Sequence, residues 1–489
     1  MTTELERKRL ENMRRNDEMM AALNIRAKAS LLTAAATKRT RDKKEKQRKP
    51  VAVVGMRKSL RTRGLNPDSV GLPYYKSSSP PQESPLDRFP QKSSSDRLLA
   101  PLPFDTAAYY YRGGGGEGSH KHFVETMLGF ASKSRSDDHY YLNKEEASGG
   151  VMTETSSIEF EGGGFDTGGP LSLEPHNVAH LVPATISVLN FMPCDNVKLV
   201  AAGDRLGYVS FWNLDSEDEE SDGIYLFQPH TAPISSLVFH QNSFSKMFSS
   251  SDDGLIRLMD AEKSVFDLVY SSNDAICSLS QRPNDEQSLY FSKGYGKFNV
   301  GDLRAGKSFS YWGLHGDRIN TIDFNPQNPH VMATSSKDGT ARLWDLRSMG
   351  PTTKPKTLRT LTHSKNVHSA YFSPTGLSLA TTSADNYIGI LSGATFEDTS
   401  MIYHDNCNTI NQWNSTSRGV WGWDDSYIFV GNRLSKRIDV ISTKLKRTVK
   451  ELHDPLMKTI PCRIHCHPLN VGVLAGSTAG GHVYVWTPK

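Results

Sequence analysis

The sequence predicts an all-β fold, a seven-bladed β-propeller preceded by a long, mostly disordered basic N-terminal region. Three observations carry this reading. The stretch 314–347 reads as three short strands, Ile319–Phe324, Val331–Thr334 and Thr340–Leu343, separated by turns through Asn325-Pro326 and Lys337-Asp338-Gly339. Such a meander is the unit of a blade. Units of the same design follow one another, and their closing positions Trp212, Met259, Gly301, Trp344, Leu391, Ile441 and Trp486 recur about every 40–50 residues, the period of propeller repeats. Finally, the 489 residues are only 37% hydrophobic with mean hydropathy −0.49, and the apolar alternation is confined to the C-terminal part.

Taken in order, the first 63 residues are rich in Lys and Arg, although the formal net charge of the chain is only +4. Residues 2–28 read as a charged helix with Thr3 as N-cap and Glu6 three positions on. Its thin apolar stripe folds on a partner or frays. The run 38–49, KRTRDKKEKQRK, suits an import receptor or phosphates, or is simply solvated; nuclear import is the favoured use. From about 74 to 170, Ser, Pro and Gly dominate, and the segment is read as too poor in apolar surface to order itself. Gly113–Gly116 follow no strand and precede no Lys-Ser/Thr, so they are linker rather than a nucleotide loop. This divides the chain into a tail, 1–170, and a propeller, 171–489. A closed ring protects its sheet edges. Because the sequence ends on the third strand of its last meander, Asn177–Leu181 is expected to supply the missing outer strand.

No apolar run is long enough to span a membrane and no secretory signal is present, so no membrane partner is expected. Five cysteines show no disulfide framework, which suits a reducing compartment. The chain lacks a nucleotide loop, a Gly-x-Ser-x-Gly elbow and a His-Glu-x-x-His pair, so it is read as a binding protein without catalytic residues, cofactor or metal. Cys462-Arg463-Ile464-His465-Cys466-His467 looks metal-binding at first sight, but it falls in a strand whose side chains alternate between faces. The acidic loop Asp215–Asp222 either meets a basic partner such as a histone or is only solvated.

The meander at 314–347 resembles a WD repeat, with His315, Ser335 (or Ser336), Asp338 and Trp344 matching the structural tetrad of that family. A His and an Asp that would be costly to bury singly satisfy one another and an indole N–H. More narrowly, ERKRLENMRRN, RKSLRTRGLNPD, VAAGDRLGYVSFW, the HGDRIN…TSSKDGTARLWDLR repeat and HDPLMKTIPCRIHCHP resemble the WD repeat-containing protein 76 family. These are nuclear proteins related to the small subunit of the damaged-DNA-binding complex. The resemblance implies a nuclear protein that binds DNA or chromatin in the DNA-damage response and serves as a substrate receptor of a cullin-4 ubiquitin ligase. Asp345 with Arg347, and Asp302 with Arg304, match the motif that docks the ligase adaptor, the large damaged-DNA-binding subunit. A rim arginine suits charge-assisted hydrogen bonding to such a partner. Asn411-Gln412-Trp413 falls where the damage-binding subunit carries its aromatic-led wedge, but the wedge sequence does not match, and a packed core indole is the alternative. Arg205, Lys337, Arg433, Lys436 and Arg437 lie near blade turns and are candidates for phosphate contacts, which position DNA without reading its sequence. The tail is expected to give salt-sensitive binding and the propeller face selectivity.

Overall fold

A computed structural model describes residues 97–109, 120–130, 171–216, 222–304, 309–350, 353–404, 417–432, 435–459 and 461–489. The expected helix over 2–28, the basic run 38–49 and the glycine run 113–116 lie outside these residues.

Among the described residues seven antiparallel sheets form, each a meander of four strands or more. Blades 1 to 5 begin with the inner strands Ile186–Phe191, Ile234–His240, Ile276–Ser280, Ile319–Phe324 and Val367–Phe372, and blades 6 and 7 with Val420–Trp421 and Pro461–Cys466. Inner strands of successive blades pack side by side, and blade 7 returns to blade 1. All seven closing positions read from the sequence lie in third strands.

The alternation explains the strands. In blade 4 the inner strand buries Ile319, Ile322 and Phe324, and the second strand, Val331–Ser336, is buried throughout because neighbouring blades cover both of its faces. Register slips after the first residue of the inner strand in blades 1, 2, 3, 4, 5 and 7. Such a bulge re-aims the next side chains. Hydroxyls near it tie blades 2 to 5 in succession: Ser236 Oγ accepts from Leu279 N–H at 3.0 Å, Ser278 Oγ from Ile322 N–H at 3.1 Å, and Thr321 Oγ1 from Ala370 N–H at 3.1 Å.

The ring closes through upstream chain, as expected. Val178–His180 pairs with the last strand, His482–Pro488, in the register Val178↔Tyr484, and Leu171 pairs with Pro488 of the same strand.

The ordered unit nevertheless reaches upstream of 171, which corrects the boundary drawn from composition. Leu102–Pro103 adds a fifth strand to blade 2, with Leu102 opposite Phe266. Phe104 then packs against Phe266, Phe227 and Phe123 at 5.0, 5.2 and 5.8 Å between ring centroids. The helical residues 120–130 bury Phe123 and Met127 completely in the same cluster. Arg257 of blade 2 is buried, and its two terminal nitrogens donate to Leu98 O, Ala100 O and Phe266 O, which offsets much of the cost of burying a guanidinium there. Two short apolar motifs, LLAPLPF and HFVETMLGF, hold this strap down, and the Ser, Pro and Gly around them hide both in a composition average.

Candidate nucleic-acid and adaptor interfaces

Meander topology gives the ring two chemically distinct ends. Inner strands start, and second strands finish, at what is here called the upper end, so that end carries the inter-blade loops and the turns between second and third strands. Third strands finish at the lower end.

Blade 4 shows what holds the upper end. His315 Nδ1 lies 2.9 Å from Asp338 Oδ2, and His315 Nε2 lies 2.7 Å from Thr334 Oγ1. The Trp344 Nε1–H donates to the same Thr334 hydroxyl at 2.8 Å. The tetrad hydroxyl is therefore Thr334 and not Ser335, a correction that follows from strand alternation. Ser335 points to the other face and bonds Thr321 Oγ1 at 2.7 Å. Burial pushes the His315 imidazole down to about 4. Burial also opposes ionisation of Asp338, but the Thr340 hydrogen bond and His315 prevail and draw its carboxyl down to about 2. Blades 2 and 5 repeat the network without the indole, through His230, Asp253 and Ser249 and through His363, Asp385 and Thr381.

Arg205, Lys337, Lys436 and Arg437 all fall at the upper end, in or beside the turns between second and third strands of blades 1, 4 and 6. Arg205 and Lys337 are exposed. Lys436 sits at a turn with φ of 50°. Arg437 departs from the set: its Nε lies 2.7 Å from Asp439 Oδ1, and Glu451 takes its other end, so its charge is neutralised within blade 6. Asn411, Gln412, Trp413 and Arg433 lie outside the described residues.

Asp302, Arg304, Asp345 and Arg347 fall at the lower end, where the third strands of adjacent blades 3 and 4 finish. Asp345 caps the following turn by accepting from Arg347 N–H at 3.0 Å. The same carboxylate takes Arg347 Nη2 at 2.7 Å, and this contact draws Asp345 down to about 2. Arg304 is looser, with Nε 3.7 Å from Asp302. Both arginines are mostly solvent-facing, at 66% and 72% of side-chain exposure. The acidic loop leaves the third strand of blade 1 at this lower end too, with 217–221 outside the described residues.

Several upper-end residues escape a reading based on charge and motif. Tyr295, in the blade 3 turn Lys293-Gly294-Tyr295-Gly296-Lys297, is 82% exposed. Tyr387 and Tyr403 of blade 5 are exposed as well. A single exposed tyrosine leaves no periodic trace in the sequence; only the flanking Gly and Lys could have drawn attention. The His-Cys run does form a strand, Pro461–Cys466, and among the described residues no three His, Cys, Asp or Glu side chains converge on a metal position. Among the described residues no helix is long and apolar enough to cross a membrane.

Seven meanders closed into a ring, with His–Asp–hydroxyl networks in blades 2, 4 and 5, define a WD-repeat β-propeller, and the model for the WD domain, G-beta repeat matches residues 222–260, 307–345 and 355–390. More narrowly, the chain is similar along nearly its whole length to proteins named WD repeat-containing protein 76. The Xenopus laevis protein of that name is 26% identical, covering 99% of this chain and 80% of the relative, and the Mus musculus protein 24%, covering 98% and 74%. A fungal relative, DNA damage-binding protein CMR1 of Coccidioides immitis, is 32% identical over 44% of this chain and 45% of its own length.

Proposed function

We propose that this propeller is a nuclear DNA- or chromatin-binding protein of the DNA-damage response that acts as a substrate receptor of a cullin-4 ubiquitin ligase. The observation that carries the reading is segregation. Exposed cations of blades 1 and 4 lie at the upper end and both Asp-x-Arg pairs at the lower end, so the two partners can be held together without competing. The relatives named for binding damaged DNA support the first half of the reading.

The second half is tested by capture of the ligase adaptor. Arg304→Ala/Arg347→Ala is expected to reduce capture at least tenfold while melting as the wild type does. Full capture by the equally folded variant removes the ligase role. One observation favours a scaffold without that role: Arg347 is already closed on Asp345, so docking must exchange that bond for one to the adaptor.

A further inference from the structure

We infer that the upper end over blades 3 to 5 is a stacking track for single-stranded DNA, with Tyr295 at one side and the Tyr387–Tyr403 pair at the other. This deepens the DNA-binding reading above and rests on it.

The track is continuous in backbone contacts. The blade 3 turn is tied to the next inter-blade loop by Leu314 N–H donating to Gly296 O at 3.0 Å. That loop meets the blade 4 turn through Lys337 N–H to Arg318 O at 2.9 Å. The blade 4 turn meets the following loop through His363 N–H to Gly339 O at 2.8 Å, and that loop meets the blade 5 turn through Ala384 N–H to Asn366 O at 2.9 Å. Finally His404 N–H donates to Asn386 O at 2.9 Å, which brings Tyr403 beside Tyr387. These two rings are 5.5 Å apart and T-shaped.

The Tyr295 turn is held for display. Gly294 and Gly296 have φ of 54° and 65°. A Cβ on Gly296 would meet His315 O at 2.0 Å, so only glycine lets the turn seat this closely on its neighbour. The ring between them is left in water, and an exposed aromatic is available to a flat apolar partner. Charge alone does not explain the surface. Asp338 and Asp385 turn inward to His315 and His363, while Lys297 meets Asp274 at 3.6 Å and Arg318 meets Asp252 at 3.1 Å. Lys337 and Lys365 stay exposed between the aromatics. Few free cations interleaved with exposed rings suit an unpaired strand, whose bases offer π faces, better than a duplex, whose bases are stacked inside.

The test is fluorescence anisotropy with the full chain, comparing a labelled thymidine oligonucleotide with a duplex of equal length. Tyr295→Ala and Tyr403→Ala are each expected to weaken single-strand binding about tenfold, with duplex affinity and salt slope unchanged. Tyr295→Phe, which keeps the ring, is expected to bind as the wild type does. Unchanged single-strand affinity in both alanine variants, or equal losses on both DNAs, overturns the track. Failure of the parent reading looks different: Arg205→Ala/Lys337→Ala/Lys436→Ala would then leave duplex affinity untouched, whatever the tyrosines do.

Discussion

The two ends of the ring solve opposite problems with the same residue types. At the upper end three carboxylates are turned inward: Asp253, Asp338 and Asp385 each hold a buried histidine and cap backbone N–H groups, leaving Lys337, Lys365 and the tyrosines to the solvent, while Asp252 and Asp274 stay outside and pair with Arg318 and Lys297. At the lower end the carboxylates stay at the rim and hold their own arginines, as Asp345 holds Arg347. An acid buried against histidine builds the scaffold, whereas an acid paired with an exposed arginine offers a bond that a partner can replace. Exposed ion pairs contribute little to stability, typically under about 1 kcal/mol, so the lower pairs can open at small cost. The upper networks cannot.

Lesions of the fold should therefore abolish both ends together, and surface lesions only one. The strap gives the largest effect. Phe104→Ala or Phe123→Ala empties a fully buried position and is expected to cost about 3–5 kcal/mol. Denaturant melts of a chain beginning at residue 97 should match the full propeller, and a chain beginning at 171 should be far less stable. Equal melts for the two truncations would mean the strap only decorates the ring.

Acid gives an effect that is smaller for each group, beginning with the His315 network at the upper end. The His315 imidazole sits at about 4, below the 6.5 of an exposed histidine, so the unfolded chain takes up the proton first. Its contribution is complete above about pH 7 and is lost as pH falls towards 4, by about 2 kcal/mol between pH 7 and 5. His368 and His465, also held near 4 by burial, act in the same direction. Asp338, drawn down to about 2 from 3.8, adds its loss only below pH 3.8. A melt at pH 5 as stable as at pH 7 would contradict this. Thr334→Val strips the hydroxyl shared by His315 and Trp344, with an expected cost of about 1–3 kcal/mol.

Periodicity made the ring legible. A strand buried on one face or both leaves its pattern in sequence, so even divergent blade 6, with Tyr427–Asn432 and Arg437–Ser442, was found where expected. The strap was not, because its pieces are short: Phe123, Met127 and Phe130 do stand at helical i, i+4, i+7 spacing, but over a single stretch of 120–130 set among Ser, Pro and Gly, and their partners lie in blades far away in sequence. Ser335 was misassigned because three consecutive hydroxyls, Thr334, Ser335 and Ser336, differ only in the face they take. Arg437 read as a phosphate-contact candidate from its turn position alone, although Asp439 two residues on takes its Nε and Glu451 on the fourth strand takes its other end. Charge and turn position thus pointed to the upper end, but which side chains remain available there depends on cross-strand pairing.

The segregation of the two ends is tested most directly by measuring duplex affinity and adaptor capture on one pair of variants. Arg205→Ala/Lys337→Ala/Lys436→Ala should lower duplex affinity about tenfold or more and flatten the salt slope by about 3, with adaptor capture intact. Arg304→Ala/Arg347→Ala should do the reverse. If either variant loses both activities while melting normally, the two ends are not separate interfaces and the account fails.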